Sequence, residues 1–154
     1  MLKIGVVGAG SWGTALAHHL ALKGIGVDLW VRERDLFHQI RDRRVNKTFL
    51  PGIRLSKRIE PVQSFRQVAR KKDLVLVVVP SHVFRKTLRK LAPYLLAEVP
   101  LVVGTKGIEN QTMMTMSQVV KSAMPEHGIM EELKGASRNT WNFFRWEILF
   151  LLAG

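Results

Sequence analysis

The chain has 154 residues, a length that fits one domain with a substantial buried core. It contains no cysteine, which excludes a disulfide framework and thiolate chemistry, and no apolar run approaches the roughly 20 residues of a membrane-spanning helix. The net charge is +12, and residues 32–90 hold the whole excess, with 17 Lys and Arg against 5 Asp and Glu.

Three interpretations of this basic region compete: a solvated surface, attraction of phosphorylated small molecules, and nucleic-acid binding. No aromatic interleaving or nucleic-acid motif accompanies the charge, so we expect no specific nucleic-acid partner. The N-terminus lacks the pattern of a secretory signal, since its apolar run is broken by glycines. A cytoplasmic location is therefore expected.

The N-terminal stretch carries the most informative motif. Apolar residues 4–7 predict a buried strand, the helix formers of residues 14–22 predict a helix, and Gly8, Gly10 and Gly13 between them form G-x-G-x-x-G. In this context the first glycine permits the tight turn and the second lets a pyrophosphate approach the backbone. The third glycine allows close packing of helix on strand. The motif predicts binding of a nicotinamide dinucleotide at the start of the helix.

Residue 32 bears on the choice between NAD and NADP. Arg32 follows Gly13 by 19 residues, at the end of a second predicted strand, where a dinucleotide fold contacts the adenosine ribose. An arginine there can pair with the 2′-phosphate of NADP, so the sequence favours NADP over NAD. The neighbouring Glu33 weakens this argument, and a plain surface role for Arg32 stays open.

The rest of the chain alternates between strand and helix patterns. The predicted strands are 27–31, 58–62, 74–79 and 100–103, and the predicted helices are 33–43, 65–72, 82–96 and 112–124. Ser64 and Ser81 are predicted helix caps, and Pro93 is expected to kink or shorten its helix. This alternation predicts an α/β fold of the Rossmann type, with a doubly wound parallel sheet.

Four further side chains need an interpretation of their own. Pro51-Gly52 marks residues 46–53 as a loop, in which we expect Phe49 and Leu50 to pack into the core. His82 follows the strand at 74–79 and is interpreted as a helix-start residue rather than a base. Lys106 follows the strand at 100–103, at the sheet edge where ligands bind in such folds, so we expect it to meet a cofactor or an anionic substrate.

The same residues resemble a known family. The carrying motifs are Gly-Ala-Gly-Ser-Trp-Gly-Thr-Ala-Leu-Ala at 8–17, Leu-Trp-Val-Arg at 29–32, Asn46 with Phe-Leu-Pro-Gly at 49–52, Val-Val-Pro-Ser-His at 78–82 and Gly-Thr-Lys-Gly-Ile-Glu at 104–109. Over residues 1 to about 135 the chain resembles the bacterial NAD(P)-dependent glycerol-3-phosphate dehydrogenases. The resemblance implies reduction of dihydroxyacetone phosphate to sn-glycerol 3-phosphate, which feeds glycerophospholipid synthesis.

The resemblance also implies roles for individual residues. Ser11, Trp12 and Arg32, with the three glycines, would contact the dinucleotide, and Lys106 would lie near both cofactor and substrate. Gly135 and Ser137 match the substrate-binding motif that follows in the family. No metal site is implied.

Beyond this point the chain departs from the family. Residues 136–154 form an apolar, aromatic-rich tail in place of the family's helical substrate domain, which indicates a truncated or frameshifted reading frame rather than a divergent terminal helix. The family's general-acid lysine has no counterpart here, so no catalytic residue is assigned and we expect a cofactor-binding domain (1–135) with little activity alone. Bare apolar surface could drive self-association.

Three other functions remain as alternatives. The chain could be a stand-alone NAD(P)-binding sensor or scaffold module, which would need no substrate. It could belong to another two-domain dehydrogenase acting on a different keto or hydroxy acid, although the residues at 105–109 argue against this. Its basic region could bind nucleic acid weakly and without specificity.

Overall fold

The computed structural model describes residues 1–125, which fold around a five-stranded parallel sheet. In chain order the elements are β1 (Lys3–Val7), α1 (Ser11–Leu22), β2 (Gly26–Trp30), α2 (Arg34–Arg43), β3 (Val45–Asn46), β4 (Leu50–Arg54), β5 (Ile59–Val62), α3 (Phe65–Ala69), β6 (Leu74–Val77), α4 (Ser81–Leu91), β7 (Leu101–Val103) and α5 (Met116–Ala123). The sheet order is β5-β2-β1-β6-β7. The predicted doubly wound parallel sheet is confirmed.

Helices cover both faces of this sheet because its strands expose apolar side chains to both sides. Ile4 and Val6 of β1 lie in one buried cluster with the apolar side chains of α1 and α2. Val75 and Val77 of β6 lie in a second cluster with α3, α4 and α5. Each face therefore has its own core, and the sheet edge at the carboxyl ends of the strands stays available for a site.

Gly5 marks a close helix–sheet contact, which sequence reasoning missed. A Cβ on residue 5 would lie 2.0 Å from the carbonyl oxygen of Val68 in α3. Real side chains cannot tolerate that distance, so only glycine lets α3 pack this close to β1. The contact brings α3 to the central strand and places Phe65, at its start, near the sheet edge.

The largest correction concerns residues 46–53, which were predicted to be a loop. They belong to an antiparallel hairpin, β3 paired with β4, outside the main sheet. Pro51 lies within β4, which a two-stranded ribbon tolerates because one side of each strand needs no ladder bond. Phe49, predicted to be core, is 39% exposed, whereas Leu50 packs against the α1–α2 core as expected.

Several element ends also differ from prediction. The helix predicted over 65–72 ends at Ala69, since Lys72 is buried against Asp28, with 2.8 Å between Nζ and Oδ2, and donates to the carbonyl oxygens of Gln67 and Arg70. The predicted strand 74–79 ends at Val77.

The predicted caps and the last two helices need correction as well. Ser64 occupies an N-cap position without a side-chain cap bond, and Ser81 is the first residue of α4, whose N-cap is Pro80. The expected shortening at Pro93 is confirmed, because α4 ends at Leu91 and a 3₁₀ turn, Ala92–Tyr94, follows. The helix predicted over 112–124 begins only at Met116, where Thr115 and Gln118 form a capping box.

Candidate functional site: a cleft at the carboxyl edge of the sheet

The glycine-rich turn between β1 and α1 forms one end of the site. Gly8 has φ +122°, and a Cβ there would lie 2.2 Å from the carbonyl oxygen of Val78. A Cβ on Gly13 would lie 2.0 Å from the carbonyl oxygen of Gly8. Gly10 differs, because among residues 1–125, apart from its chain neighbours, no residue comes within 4 Å of the Cβ position. Gly8 and Gly13 thus close the turn, and Gly10 leaves its backbone open to the cleft.

Helix α1 starts immediately behind this opening. Gly10 is its N-cap, and in the described part of the chain no side chain caps it and no acidic residue lies in its first turn. The first backbone N–H groups of a helix have no intrahelical acceptors and carry partial positive charge. Ser11 and Trp12 are both exposed there, with Trp12 54% exposed. This arrangement suits an anionic group next to Gly10.

The turn opens into a cleft of about 510 Å³ between the ends of β1 and β6. Because the chain leaves β1 toward β2 on one side and β6 lies on the other, this is the switch point at which ligands bind in open α/β sheets. The lining residues are Gly8, Ala9, Gly10, Trp30, Arg32, Glu33, Phe49, Phe65, Val78, Val79, Pro80, His82, Val83, Lys86, Thr87 and Lys90.

An aromatic pair and an ion pair lie on the β2 side of the cleft. The rings of Trp30 and Phe65 stack with centroids 4.5 Å apart, and Trp30 Nε1 donates to the carbonyl oxygen of Gln63 at 3.2 Å. Arg32 lies in the cleft wall, and its Nη2 is 2.6 Å from Glu33 Oε1. The positive charge of the guanidinium is therefore partly neutralised by the neighbouring carboxylate. The sequence showed only that the two residues are adjacent.

Helix α4 adds positive charge that the sequence analysis did not assign. His82, Lys86 and Lys90 recur every four residues, so they lie along one face of the helix, and all three line the cleft. Among the described residues that line the cleft, the only carboxylate is that of Glu33, which accepts a hydrogen bond from Arg32. The i, i+4, i+8 spacing of His82, Lys86 and Lys90 could have shown from the sequence that these residues share one face of the helix. His82 is the second residue of α4 and is exposed, consistent with the interpretation as a helix-start residue.

Lys106 lies at the same edge of the sheet but not in the cleft wall. Its loop is anchored just before it: the Gly104 N–H donates to the Val77 carbonyl at 2.9 Å, and Thr105 Oγ1 donates to the Val79 carbonyl at 2.9 Å. Lys106 itself is exposed. The structure thus places it beside the end of β6, without bringing it together with Arg32 and the glycine turn around one cavity.

An ion pair holds the loop that follows Lys106. Arg85 of α4 donates to both carboxylate oxygens of Glu109, each at 2.8 Å, and Thr112 Oγ1 donates to the same carboxylate. These hydrogen bonds lower the pKa of Glu109 to about 2, and the larger part of the effect comes from Arg85, followed by Thr112. The carboxylate is therefore ionised throughout the physiological range, and the loop from Lys106 to Thr115 stays tied to α4.

Some expectations lie outside the described residues. Gly135 and Ser137, the expected substrate-binding residues, and the tail at 136–154 belong to this part of the chain. Within residues 1–125, no group of three or more His, Cys, Asp or Glu side chains is placed to hold a metal ion. Over the same residues, no helix is both long and apolar enough to span a bilayer.

The strand order, the glycine turn and the switch-point cleft together define a Rossmann-type α/β domain. Solved structures agree with this class. A glycerol-3-phosphate dehydrogenase from Coxiella burnetii superposes with a TM-score of 0.75 at 31% identity, covering 80% of this chain and 38% of that one. An enzyme of the same name from Saccharomyces cerevisiae, at 23% identity, shares the fold with a TM-score of 0.71 over 80% of this chain and 39% of that one.

The family follows from the sequence itself. Residues 3–139 match the family described as NAD-dependent glycerol-3-phosphate dehydrogenase N-terminus, and the chain belongs to it. Curated glycerol-3-phosphate dehydrogenases [NAD(P)+] from Syntrophobacter fumaroxidans and Geobacter sulfurreducens are each 48% identical, over 79% and 80% of this chain. The matched regions are 36% and 37% of those proteins, so the chain corresponds to their N-terminal part. The resemblance read from the motifs is confirmed.

Proposed function

We propose that the chain binds a nicotinamide dinucleotide in the switch-point cleft, with the pyrophosphate against Gly10 and the start of α1. The observation that carries this is the contrast among the glycines: at residue 10 alone of the three, a Cβ would project into open space. The uncapped helix start behind it, with no acid in its first turn, supports an anionic ligand. Family membership supports the same ligand class.

Titration with NADPH and NADH, followed by tryptophan fluorescence, tests this proposal. Trp12 lies beside the expected pyrophosphate and is exposed, so its emission should change saturably on binding. Trp30 also lines the cleft, so Trp12→Phe should reduce that change without abolishing it, while calorimetry still detects binding. Absence of saturable binding to either dinucleotide would contradict the proposal.

We further propose that NADPH binds more tightly than NADH, and that Lys86 and Lys90 contribute to this preference together with Arg32. All three line the cleft, and Arg32 is partly neutralised by Glu33. A 2′-phosphate adds negative charge that lysines and arginines attract. In this proposal the α4 lysines supply positive charge for the 2′-phosphate, because the charge of Arg32 is partly neutralised by Glu33.

Charge variants test the cofactor preference. Lys86→Gln with Lys90→Gln should weaken NADPH binding about tenfold, or about 1.4 kcal/mol, and change NADH binding much less. Glu33→Gln should tighten NADPH binding, because it frees Arg32. Lys57→Gln with Lys71→Gln, at two exposed positions outside the cleft, removes the same two charges and is the matched control for net charge. Equal losses for NADPH and NADH in the double variant would contradict the assignment.

For the reaction, we propose that the chain supplies the cofactor-binding part of an enzyme that interconverts dihydroxyacetone phosphate and sn-glycerol 3-phosphate. When bound, the nicotinamide supplies the hydride for the substrate carbonyl. The exposed ammonium of Lys106, on a loop held by the Arg85–Glu109 pair, is positioned to attract an anionic substrate at the sheet edge. The proton donor is not assigned among residues 1–125.

Substrate dependence separates this proposal from a sensor or scaffold module. If Lys106 meets the substrate phosphate, dihydroxyacetone phosphate should bind to the NADPH-loaded chain, and Lys106→Gln should weaken that binding. Dinucleotide binding that the substrate leaves unchanged, with no substrate bound at millimolar concentration, would favour the module.

A further inference from the structure

The buried amide of Asn46 joins two walls of the cleft. Asn46 ends β3 and is fully buried. Its Nδ2 donates to the carbonyl oxygen of Ala9 at 3.0 Å and to Thr14 Oγ1 at 2.8 Å, and its Oδ1 accepts from the Phe49 N–H at 2.9 Å. Both Nδ2 hydrogens and the amide oxygen are thus used, as a buried amide requires.

On the glycine-turn side, these bonds fix the peptide between Ala9 and Gly10. The Ala9 carbonyl oxygen accepts from Asn46 Nδ2 and also from Thr14 Oγ1, the latter at 3.1 Å. In a trans peptide the N–H of the next residue points opposite to the carbonyl. Holding the Ala9 carbonyl toward Asn46 therefore aims the Gly10 N–H away from the buried side and keeps a repulsive oxygen away from an anionic ligand.

On the hairpin side, the same amide fixes Phe49. The Phe49 N–H is bonded to Asn46, and the Phe49 side chain is part of the cleft lining together with Gly8, Ala9 and Gly10. The β3–β4 hairpin lies outside the main sheet, so the sheet ladder does not fix its position. Asn46 supplies a direct hydrogen-bonded link between the hairpin and the glycine turn.

We infer that Asn46, with Thr14, is a positioning residue that sets the affinity of the cleft for the pyrophosphate of a dinucleotide. The inference rests on the proposed function and adds a residue outside the glycine motif. It requires an amide donor at residue 46 and a hydroxyl donor at residue 14. Aspartate has nearly the shape of asparagine but would face the Ala9 carbonyl with an acceptor.

Two matched pairs of variants test this inference. Asn46→Asp and Asn46→Ala remove the amide donor, whereas Thr14→Val removes the hydroxyl and Thr14→Ser keeps it. NADPH dissociation constants are measured well below the unfolding temperature of each variant, so that only folded protein is compared. We expect a tenfold or greater weakening for the Asn46 variants, at least threefold for Thr14→Val, and less than twofold for Thr14→Ser.

Binding of adenosine 2′-monophosphate distinguishes a positioning role for Asn46 from a merely structural one. It carries a ribose phosphate but no pyrophosphate, so the variants should bind it as the parent chain does while binding NADPH more weakly. Lower unfolding temperatures with unchanged NADPH affinity in the folded variants would overturn the inference, as would equal losses for both ligands. If the Asn46 variants do not fold, the Thr14 pair decides the question by the same criteria.

The outcome for the parent chain separates the two levels of the argument. A parent chain that binds no NADPH overturns the proposed function and this inference with it. A parent chain that binds NADPH, with variants that bind it equally well, overturns only the role of Asn46.

Discussion

The two sides of the cleft are built in different ways. The β1–α1 side presents backbone to the cleft, with three glycines and a helix start, and the buried side-chain amide of Asn46 fixes this turn. The α4 side consists of long side chains, including Lys86 and Lys90, with an ion pair from Arg85 that holds the next loop. At Gly8 and Gly13 the backbone leaves no room for an added Cβ, whereas a site of flexible cations tolerates substitution with graded losses.

The largest expected effect is on the backbone side. Gly13→Ala would place a Cβ 2.0 Å from the Gly8 carbonyl oxygen, so α1 must move away from the turn. Overpacking against rigid backbone costs up to about 3 kcal/mol, and the helix propensity of alanine returns roughly 1 kcal/mol. We expect urea unfolding to show a net destabilisation of about 2 kcal/mol. Unchanged stability would show that this contact is not tight.

Gly10→Ala sharpens the comparison, because it keeps the fold and blocks the ligand. Residue 10 has φ −69°, which alanine adopts freely, and the methyl group would project into the cleft. As an N-cap change it should cost less than about 1 kcal/mol of stability. We expect NADPH affinity to fall at least tenfold in a calorimetric titration. Retained affinity would place the pyrophosphate elsewhere.

The smallest expected effect is on the ion pair. The pKa of Glu109 is about 2 in the folded chain against an ordinary value of 4.5, so the unfolded chain binds more protons between these values. The stability that this carboxylate contributes is complete above about pH 4.5 and is lost as the pH falls toward 2. The free-energy difference between the parent chain and Glu109→Gln should therefore be larger at pH 6 than at pH 3. A difference independent of pH would contradict the assigned pairing.

Much of the fold could be predicted from the sequence, because the strong signals were local and periodic. The apolar run predicted as a strand over 74–79 forms β6 at Leu74–Val77, two residues shorter, and the glycine spacing at 8–13 correctly predicted a turn between β1 and α1. The hairpin was missed because its contacts include partners far away in sequence, such as the bond from Asn46 to Ala9 across 37 residues. Helix ends were misplaced where a distant partner decides them, as Asp28 does for Lys72.

The site was predicted less completely than the fold, for a related reason. Motif and spacing singled out the glycine turn and Arg32, and Gly8, Gly10 and Arg32 line the cleft. Lys86 and Lys90 were overlooked as part of a general basic surface, because only the packing of α4 shows which of its cations line the cleft. The exposure of Phe49 was also not predictable from its apolar character alone.

A nitrogen-15 NMR titration of the 154-residue chain with NADPH tests the central claim most directly, because it reports binding and its place together. We predict saturable shifts that are largest at the amides of residues 8–13, with further shifts at Arg32 and along the α4 face that carries Lys86 and Lys90. No saturable shift, or shifts confined to residues away from this cleft, would contradict the account.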